Sequence, residues 1–347
     1  MTRTPGSSVW SCGGVPKLPD AVNRARAAAG AVLDADHLTL VACSGGADSL
    51  ALAAAAAHHV RRGEARVGAV VVDHQLHPDS ARVTATAAGQ LCGLGLDPVL
   101  TLTADVDPAG PEGPEAAARS ARYQAFQQAL AEAGASQILL AHTKDDQAEQ
   151  VLLGLARGSG TRSLAGIPAR RGPFLRPLLE LTRAETEAVC AHEGLSWWED
   201  PANQEPRYLR SRIRTEILPY LEERLSGSVR ESLARTAQIA AEDAAYLEEQ
   251  AKEVFARLLE DPGADGSIRF DLGRLSAVPP AIRRRVIALA VVAVGGSTPS
   301  SERIAAVEGL LGKQGSAGPV QLEGHVQARR GTRDQPDYGK LVFVPRG

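Results

Sequence analysis

The alternation of short apolar segments with helix-forming segments between residues 37 and 156 constrains the fold more than any other feature of this sequence. Runs rich in Val, Ile and Leu are typical of buried strands, and each is followed by a longer run of helical character. This order predicts an α/β fold with a doubly wound parallel sheet, whose ligand sites lie at the carboxyl ends of the strands. The predicted strands are residues 37–43, 66–73, 98–103 and 137–142, and the predicted helices begin at residue 50 or span residues 81–92, 115–133 and 144–156.

The pattern changes after residue 157, where a stretch rich in Gly, Pro and Arg extends to residue 176. From about residue 210 to residue 259 the chain is helical in character, and short strands are predicted between residues 320 and 344. We therefore expect three segments. These are a disordered extension over residues 1–20, a catalytic domain over residues 21–223 and a mainly helical C-terminal region over residues 224–347.

Composition argues against several classes of protein. No run reaches the ~20 apolar residues of a membrane span, and the N-terminus has no apolar signal core, so we expect a cytoplasmic protein that does not enter a membrane. The net charge of -3 gives no global attraction for nucleic acid, so such a partner must be bound by local basic patches. The four cysteines lie far apart without a Cys-x-x-Cys pair, which argues against a zinc site, a redox motif and a disulfide framework.

A Gly-rich loop, Ser44-Gly45-Gly46-Ala47-Asp48-Ser49, connects the first predicted strand to its helix. Such a loop presents backbone N–H groups and the positive end of a helix at one place, which suits phosphate. Two glycines allow close approach of the backbone, and Asp48 can hold a magnesium ion between phosphates. The loop lacks the Gly-Lys-Ser/Thr ending of a Walker A motif, which disfavours hydrolysis of the γ-phosphate. The alternative is a plain Gly-Ser turn between strand and helix.

The loop resembles the Ser-Gly-Gly-x-Asp-Ser pyrophosphate loop of the N-type ATP pyrophosphatases, the PP-loop superfamily. Within that group, six further segments in the same order are similar to the tRNA(Ile)-lysidine synthetase family, and together they are more specific than any one of them. They are Val72-Asp73-His74-Gln75-Leu76, residues 115–123, Ala141-His142-Thr143-Lys144-Asp145-Asp146-Gln147-Ala148-Glu149, residues 157–160, Arg176-Pro177-Leu178-Leu179, and Asp200-Pro201-Ala202-Asn203 with Arg210-Ser211-Arg212-Ile213-Arg214.

The resemblance implies a Rossmann-like fold of the adenine nucleotide alpha hydrolase type and a ligase activity. ATP and Mg2+ are the implied cofactors, and L-lysine and a tRNA(Ile) with a CAU anticodon are the implied partners. Lysine would be joined to C2 of the wobble cytidine through an O2-adenylate, with release of AMP and pyrophosphate, which converts the tRNA from methionine to isoleucine specificity. The C-terminal region would bind tRNA, and a homodimer is expected from the family.

The same resemblance assigns candidate residues. Asp145 and Asp146 open a predicted helix, where carboxylates are also good first-turn residues, but two acids near a phosphate loop favour a metal or an incoming amine. The Arg run from Arg207 to Arg214 is either a solvated face or a surface for RNA backbone and triphosphate. The predicted catalytic residues are Asp48, Asp145, Asp146, Arg210 and Arg212, the metal ligands are Asp48 and Asp146, and the nucleotide-binding residues are Ser44, Gly45, Gly46, Ala47, Asp48, Ser49, Asp73, His74, His142 and Arg119.

Three other functions share parts of this pattern. A PP-loop tRNA thiolase activates a base in the same way, but it usually needs clustered cysteines, which this chain lacks. An amide-forming ligase such as NAD or GMP synthetase shares the loop but does not need the Arg-rich segment. A non-catalytic adenine-nucleotide-binding protein would not need Asp48 together with the Asp145-Asp146 pair.

Overall fold

The computed structural model describes residues 18–73, 75, 78–104, 114–158, 160–200, 208–260, 266–312, 318–334 and 336–346. The chain divides into two compact units, Met1–Gln238 and Ile239–Gly347. The predicted boundary at residue 223 stays a prediction.

The first unit is built on a six-stranded sheet with helices packed on it. The strand order is β3-β2-β1-β4-β6-β5, and every pair is parallel except β5 with β6. This architecture confirms the predicted α/β fold. The strands are β1 Leu38–Cys43, β2 Arg66–Asp73, β3 Val99–Thr103, β4 Gln137–Leu139, β5 Arg170–Arg171 and β6 Phe174–Leu175. The helices are α1 Asp20–Gly30, α2 Ala47–Arg61, α3 Ser80–Gly93, α4 Pro114–Ala133, α5 Lys144–Ala156, α6 Thr161–Leu164, α7 Arg183–His192, α8 Leu209–Arg212, α9 Leu218–Arg224 and α10 Val229–Leu258, with a π turn at Ile213–Ile217.

Helix α2 is the centre of the core. Its residues from Leu50 to Ala57 are all at most 1% exposed, because the sheet covers one side of the helix and α1 and α7 cover the other. Six of those eight residues are alanines, whose small side chains allow neighbouring helices to pack closely on all sides. The first turn of α2, which carries Asp48, is therefore held rigidly from three directions.

Strand β4 ends at Leu139, three residues earlier than predicted. The chain stays extended as far as the N-cap of α5, and the backbone N–H of Leu140 still donates to Leu175 O at 2.8 Å. His142 consequently lies in the extended segment that follows the strand, at the carboxyl edge of the sheet.

The second unit contains the end of α10, three further helices and a four-stranded antiparallel sheet of order β7-β10-β9-β8. Phe270 and Phe343 face each other in its core and are completely buried. The short strands predicted near the end of the chain are confirmed. The elements are β7 Ile268–Asp271, α11 Leu272–Ser276, α12 Pro280–Ala293, α13 Ser301–Gly312, β8 Val320–Leu322, β9 Val326–Arg330 and β10 Lys340–Pro345. Over the described ranges, none of the helices has the length and apolar character that a membrane crossing requires.

Candidate active site

The loop from Ser44 to Ser49 has the backbone geometry that the two glycines permit. Gly45 has φ +81°, a conformation that L side chains rarely adopt, and a Cβ there would lie 3.2 Å from Cγ1 of Val83. Gly46 is the N-cap of α2. The loop therefore leads directly into the positive end of α2, with Ser44 exposed and Gly46 half-buried, an arrangement that suits phosphate.

Ser49 stabilises the loop from within. Its hydroxyl donates to Gly46 O at 2.9 Å and accepts from the backbone N–H of Ser44 at 3.2 Å, and the residue is 6% exposed. Ser44 is exposed. Of the two serines predicted to bind the nucleotide, Ser44 is thus the one that a ligand can reach, whereas Ser49 fixes the turn.

Asp48 is a largely buried carboxylate that forms no ion pair with any described residue. Its Oδ1 accepts a hydrogen bond from the Thr186 hydroxyl of α7. Burial raises the pKa of Asp48 to about 6, and the charge of Asp146 adds to the rise, although the bond from Thr186 opposes it. The environment thus disfavours the ionised carboxylate until a cation arrives, which is a property suited to a metal ligand.

Asp146 and Glu149 on α5 form a four-membered cluster with Arg210 of α8 and Arg214 of the π turn. Arg210 donates to Glu149 Oε2 and Asp146 Oδ1, both at 2.8 Å. Arg214 donates from Nε to Glu149 Oε1 and from a terminal nitrogen to Glu149 Oε2 at 3.1 Å. The side chain of Glu149 is completely buried, whereas the two arginines are 33% and 27% exposed. The cluster is balanced in charge and has its cationic side open to solvent.

The charges in this cluster shift one another. Burial would raise the pKa of Asp146, but Arg210, His142 and the N–H of Thr143 hold it below its ordinary value. Burial likewise works against the charge of Arg210, but Asp146 and Glu149 raise its pKa. Asp146 and Arg210 are therefore both charged at neutral pH.

The other predicted catalytic residues are placed differently. Asp145 Oδ1 accepts from Arg230 of α10 at 2.9 Å, and its Oδ2 accepts from the backbone N–H of Arg183 at the start of α7. Arg212 is exposed, and in a helix it lies about 200° around the axis from Arg210. The structure therefore places Asp146 in contact with Arg210 and within electrostatic reach of Asp48, uses Asp145 to tie α5 to two helices, and leaves Arg212 on the surface.

His142 lies within electrostatic reach of Asp146, Arg210 and Arg119. Burial lowers the pKa of His142 to about 4, and Arg176, Arg210 and Arg119 contribute, although Asp146 opposes them. Its Nδ1 is buried without a hydrogen-bond partner. The exposed guanidinium of Arg119 lies 5.2 Å from the centre of the Tyr123 ring.

Asp73 ends β2, and its Oδ1 accepts from the backbone N–H of Gln75 at 2.9 Å. It lies at the same carboxyl edge of the sheet as the loop that follows β1, because β1 and β2 are parallel neighbours. The predicted role of His74 falls outside the described residues.

The carboxylate of Asp48 is a suitable ligand for magnesium, and the carboxylate of Asp146 is a less suitable one. Magnesium usually takes one or two carboxylates, with water and phosphate oxygens completing an octahedron. Asp146 Oδ1 already faces two arginines, and its Oδ2 accepts from the N–H and hydroxyl of Thr143 in a capping box. Among the residues that the structure describes, no group of three or more His, Cys, Asp or Glu side chains could hold a metal, so a bound Mg2+ would depend on the phosphates of ATP.

Several groups at the site lack a sequence signal. Thr186 reaches Asp48 from 138 residues further along the chain. The backbone N–H of Trp198 donates to Gly45 O at 3.0 Å and holds the loop from outside. Arg214 was expected only as one member of an Arg run, although its spacing of four from Arg210 places both on one helix face.

Similarity to known proteins supports this picture. A family model described as a PP-loop domain matches residues 21–221, and one described as the TilS substrate binding domain matches residues 270–332. A tRNA(Ile)-lysidine synthase from Leifsonia xyli is 48% identical over 89% of this chain and 90% of that protein. One from Streptomyces coelicolor is 44% identical over 84% of this chain and 83% of that protein.

Among solved structures, a U34-tRNA thiolase from Methanococcus maripaludis is similar, with a TM-score of 0.55. The two chains are 17% identical, and the matched region covers 64% of this chain and 79% of the thiolase chain. At this identity the similarity supports the fold alone.

Proposed function

Because the chain belongs to the tRNA(Ile)-lysidine synthase family of PP-loop enzymes, we propose that it joins L-lysine to the wobble cytidine of a tRNA(Ile) with a CAU anticodon. One observation supports this most: Asp48, on the loop that suits pyrophosphate, lies within electrostatic reach of Asp146 and Arg214. A phosphate-binding loop, acids for a cation or an amine, and arginines for developing negative charge thus occur together.

The proposed first step is adenylation of the tRNA. The O2 atom of the cytosine attacks the α-phosphorus of ATP, the bond between the α- and β-phosphates breaks, and pyrophosphate leaves. The backbone N–H groups of the loop and the positive end of α2 bind the departing pyrophosphate. Asp48 would hold Mg2+, which when bound offsets the charge of the phosphate oxygens.

The proposed second step is attack of a lysine amine on C2 of the activated base. The C–N bond forms, the bond from C2 to O2 breaks, and AMP leaves with the oxygen. Asp146, whose pKa is held low, is ionised and can orient the incoming ammonium. A proton must leave the amine before attack, and the burial that lowers the pKa of His142 to about 4 makes that ring a weak acceptor for it.

The arginines are proposed to change partners during the reaction. Arg210 and Arg214 are neutralised by Asp146 and Glu149, but both are partly exposed. When ATP and a cation bind, these guanidinium groups can turn toward phosphate oxygens, where charge develops in the transition state. Because the side chain of Arg212 is exposed, this residue is proposed to contact the tRNA backbone, in place of the catalytic role predicted for it.

Residues 270–332 are proposed to contact the tRNA, as the description of the matching family model indicates. The homodimer and the cytoplasmic location are proposed on the family resemblance alone.

The test is a reaction of the purified protein with ATP, Mg2+, radiolabelled lysine and tRNA(Ile) bearing a CAU anticodon. We expect label in the tRNA, and none when lysine is replaced by other amino acids or ammonia. The Asp48→Asn variant should lose this activity, whereas Asp36→Asn, which changes an exposed aspartate, should keep it. Pyrophosphate release with ammonia or a sulfur donor, but not with lysine, would refute the assignment.

A further inference from the structure

Arg176 is a buried cation to which none of the described residues supplies a counter-ion. It follows β6 directly and is 4% exposed. Its two terminal nitrogens donate to Pro168 O at 3.0 Å and to the Tyr123 hydroxyl at 3.4 Å, and both acceptors are neutral. Its Nε is buried and has no hydrogen-bond partner. Across the described ranges, no carboxylate bonds to this guanidinium.

This arrangement is energetically unfavourable unless an anion balances the charge and accepts the remaining hydrogen bond. Removing a guanidinium from water without an anion carries a penalty of several kcal/mol, and a buried donor without an acceptor adds to it. The charged neighbours make the penalty larger, since Arg119 and Arg171 join burial in lowering the pKa of Arg176. If its only task were to tie the segment at Pro168 to α4, a neutral amide would suffice.

His142 supplies a second unpartnered group beside Arg176. Its Nδ1 is buried without a partner, and Arg176 is close enough to disfavour protonation of the ring. Both residues follow parallel strands that pair directly, β4 and β6, so both lie at the carboxyl edge of the sheet, where ligands bind in this class of fold. Two incomplete polar groups at that edge indicate a ligand with anionic oxygens.

We propose that Arg176 and His142 form a binding site for one phosphate group, separate from the Ser44–Ser49 loop. This proposal rests on the proposed function, because the bound phosphate would belong to one of the same substrates. Strand β6 is two strands away from β1, a separation of about 10 Å at the usual strand spacing. The phosphate belongs either to the tRNA backbone or to ATP, and the two sources are distinguished by experiment.

The experiment compares wild type with Arg176→Gln and Arg176→Lys. The matched control is Arg66→Gln, which removes an exposed arginine at the amino end of β2, on the opposite edge of the sheet. tRNA binding is measured by filter retention over a series of KCl concentrations, and the KM for ATP is measured by pyrophosphate release. Thermal unfolding of each protein is followed with and without inorganic phosphate.

If the phosphate is from tRNA, Arg176→Gln should reduce the slope of log K against log[KCl] by about 0.7 to 0.9, the loss of one phosphate contact, and leave the KM for ATP unchanged. If it is from ATP, the KM should rise several-fold while the slope stays constant. In both cases Arg176→Lys should recover most of the loss, and inorganic phosphate should stabilise the wild type and Arg66→Gln more than Arg176→Gln.

A lower melting temperature with unchanged slope, KM and response to phosphate would show that Arg176 is only structural and would overturn the proposal. The failure is distinguishable from failure of the proposed function, because tRNA binding and the effect of inorganic phosphate do not require lysine transfer. If Arg176→Gln does not fold, Arg176→Lys and the phosphate response of the wild type still decide: no stabilisation of the wild type by phosphate would also overturn it.

Discussion

Replacement of Glu149 by glutamine should reveal how strongly the buried cluster holds α5 against the π turn. Glu149 accepts three hydrogen bonds from Arg210 and Arg214 and is completely buried. A glutamine keeps the shape but removes the negative charge, so two guanidinium groups would share Asp146 alone, and an amide N–H2 would face one of them.

The expected loss follows from the burial of the cluster. Removing one partner of a buried ion pair typically costs about 3–5 kcal/mol. Because the two arginines are about one-third exposed, water recovers part of this, and we expect a decrease of about 3 kcal/mol in the free energy of unfolding of Glu149→Gln. Urea unfolding of the protein without ATP, Mg2+ or tRNA measures it.

A double-mutant cycle isolates the charge effect. Adding Arg214→Gln to Glu149→Gln restores the charge balance, so the two changes should be less than additive by about 1.5–3 kcal/mol. The control is Glu223→Gln, whose carboxylate is 69% exposed and 3.7 Å from Arg224, and which should change stability by less than about 0.5 kcal/mol. Equal losses for the Glu149 and Glu223 variants, or strict additivity in the cycle, would refute the reasoning.

Two further predictions concern the loop. Because the pKa of Asp48 is raised, its contribution to stability is fully present below pH 3.8 and is lost as the pH rises through about 6. Between pH 4 and pH 8 the free energy of unfolding of the wild type should therefore fall by on the order of 3 kcal/mol relative to that of Asp48→Asn. Urea unfolding without metal measures this difference. An equal pH dependence for both proteins would contradict this. Gly45→Ala should raise the KM for ATP, because the φ of +81° costs an L residue about 1–2 kcal/mol and the new Cβ meets Val83, and an unchanged KM would contradict it.

The parallel sheet could be predicted from the sequence because each buried strand is a continuous apolar run with a helix after it. Strand β2 and helix α5 begin and end at the predicted residues. The β5–β6 hairpin could not be predicted, since each strand has only two residues and lies in a stretch whose Gly, Pro and Arg content is typical of a loop.

The parts of the candidate site that could be predicted are those whose residues form a motif within one short segment of the sequence. The loop and the acids on α5 carry their own signals, but the pairing of Glu149 with Arg210 joins residues 61 positions apart, and no local pattern records it. The π turn that follows Arg212 is a local departure from the α-helix, and no sequence pattern indicates it. Thr186 has no sequence signal of its own, because its contact with Asp48 arises only from the packing of α7 beside α2.

Helix α1 supports the candidate site from a distance. Its Arg24 bonds to Glu185, the capping residue of α7, and the next residue, Thr186, contacts Asp48. A protein shortened to begin after residue 31 would retain every proposed active-site residue and yet leave α7 without this brace. Such trimming should therefore impair turnover, and it would also uncover the alanine-rich face of α2 against which α1 packs.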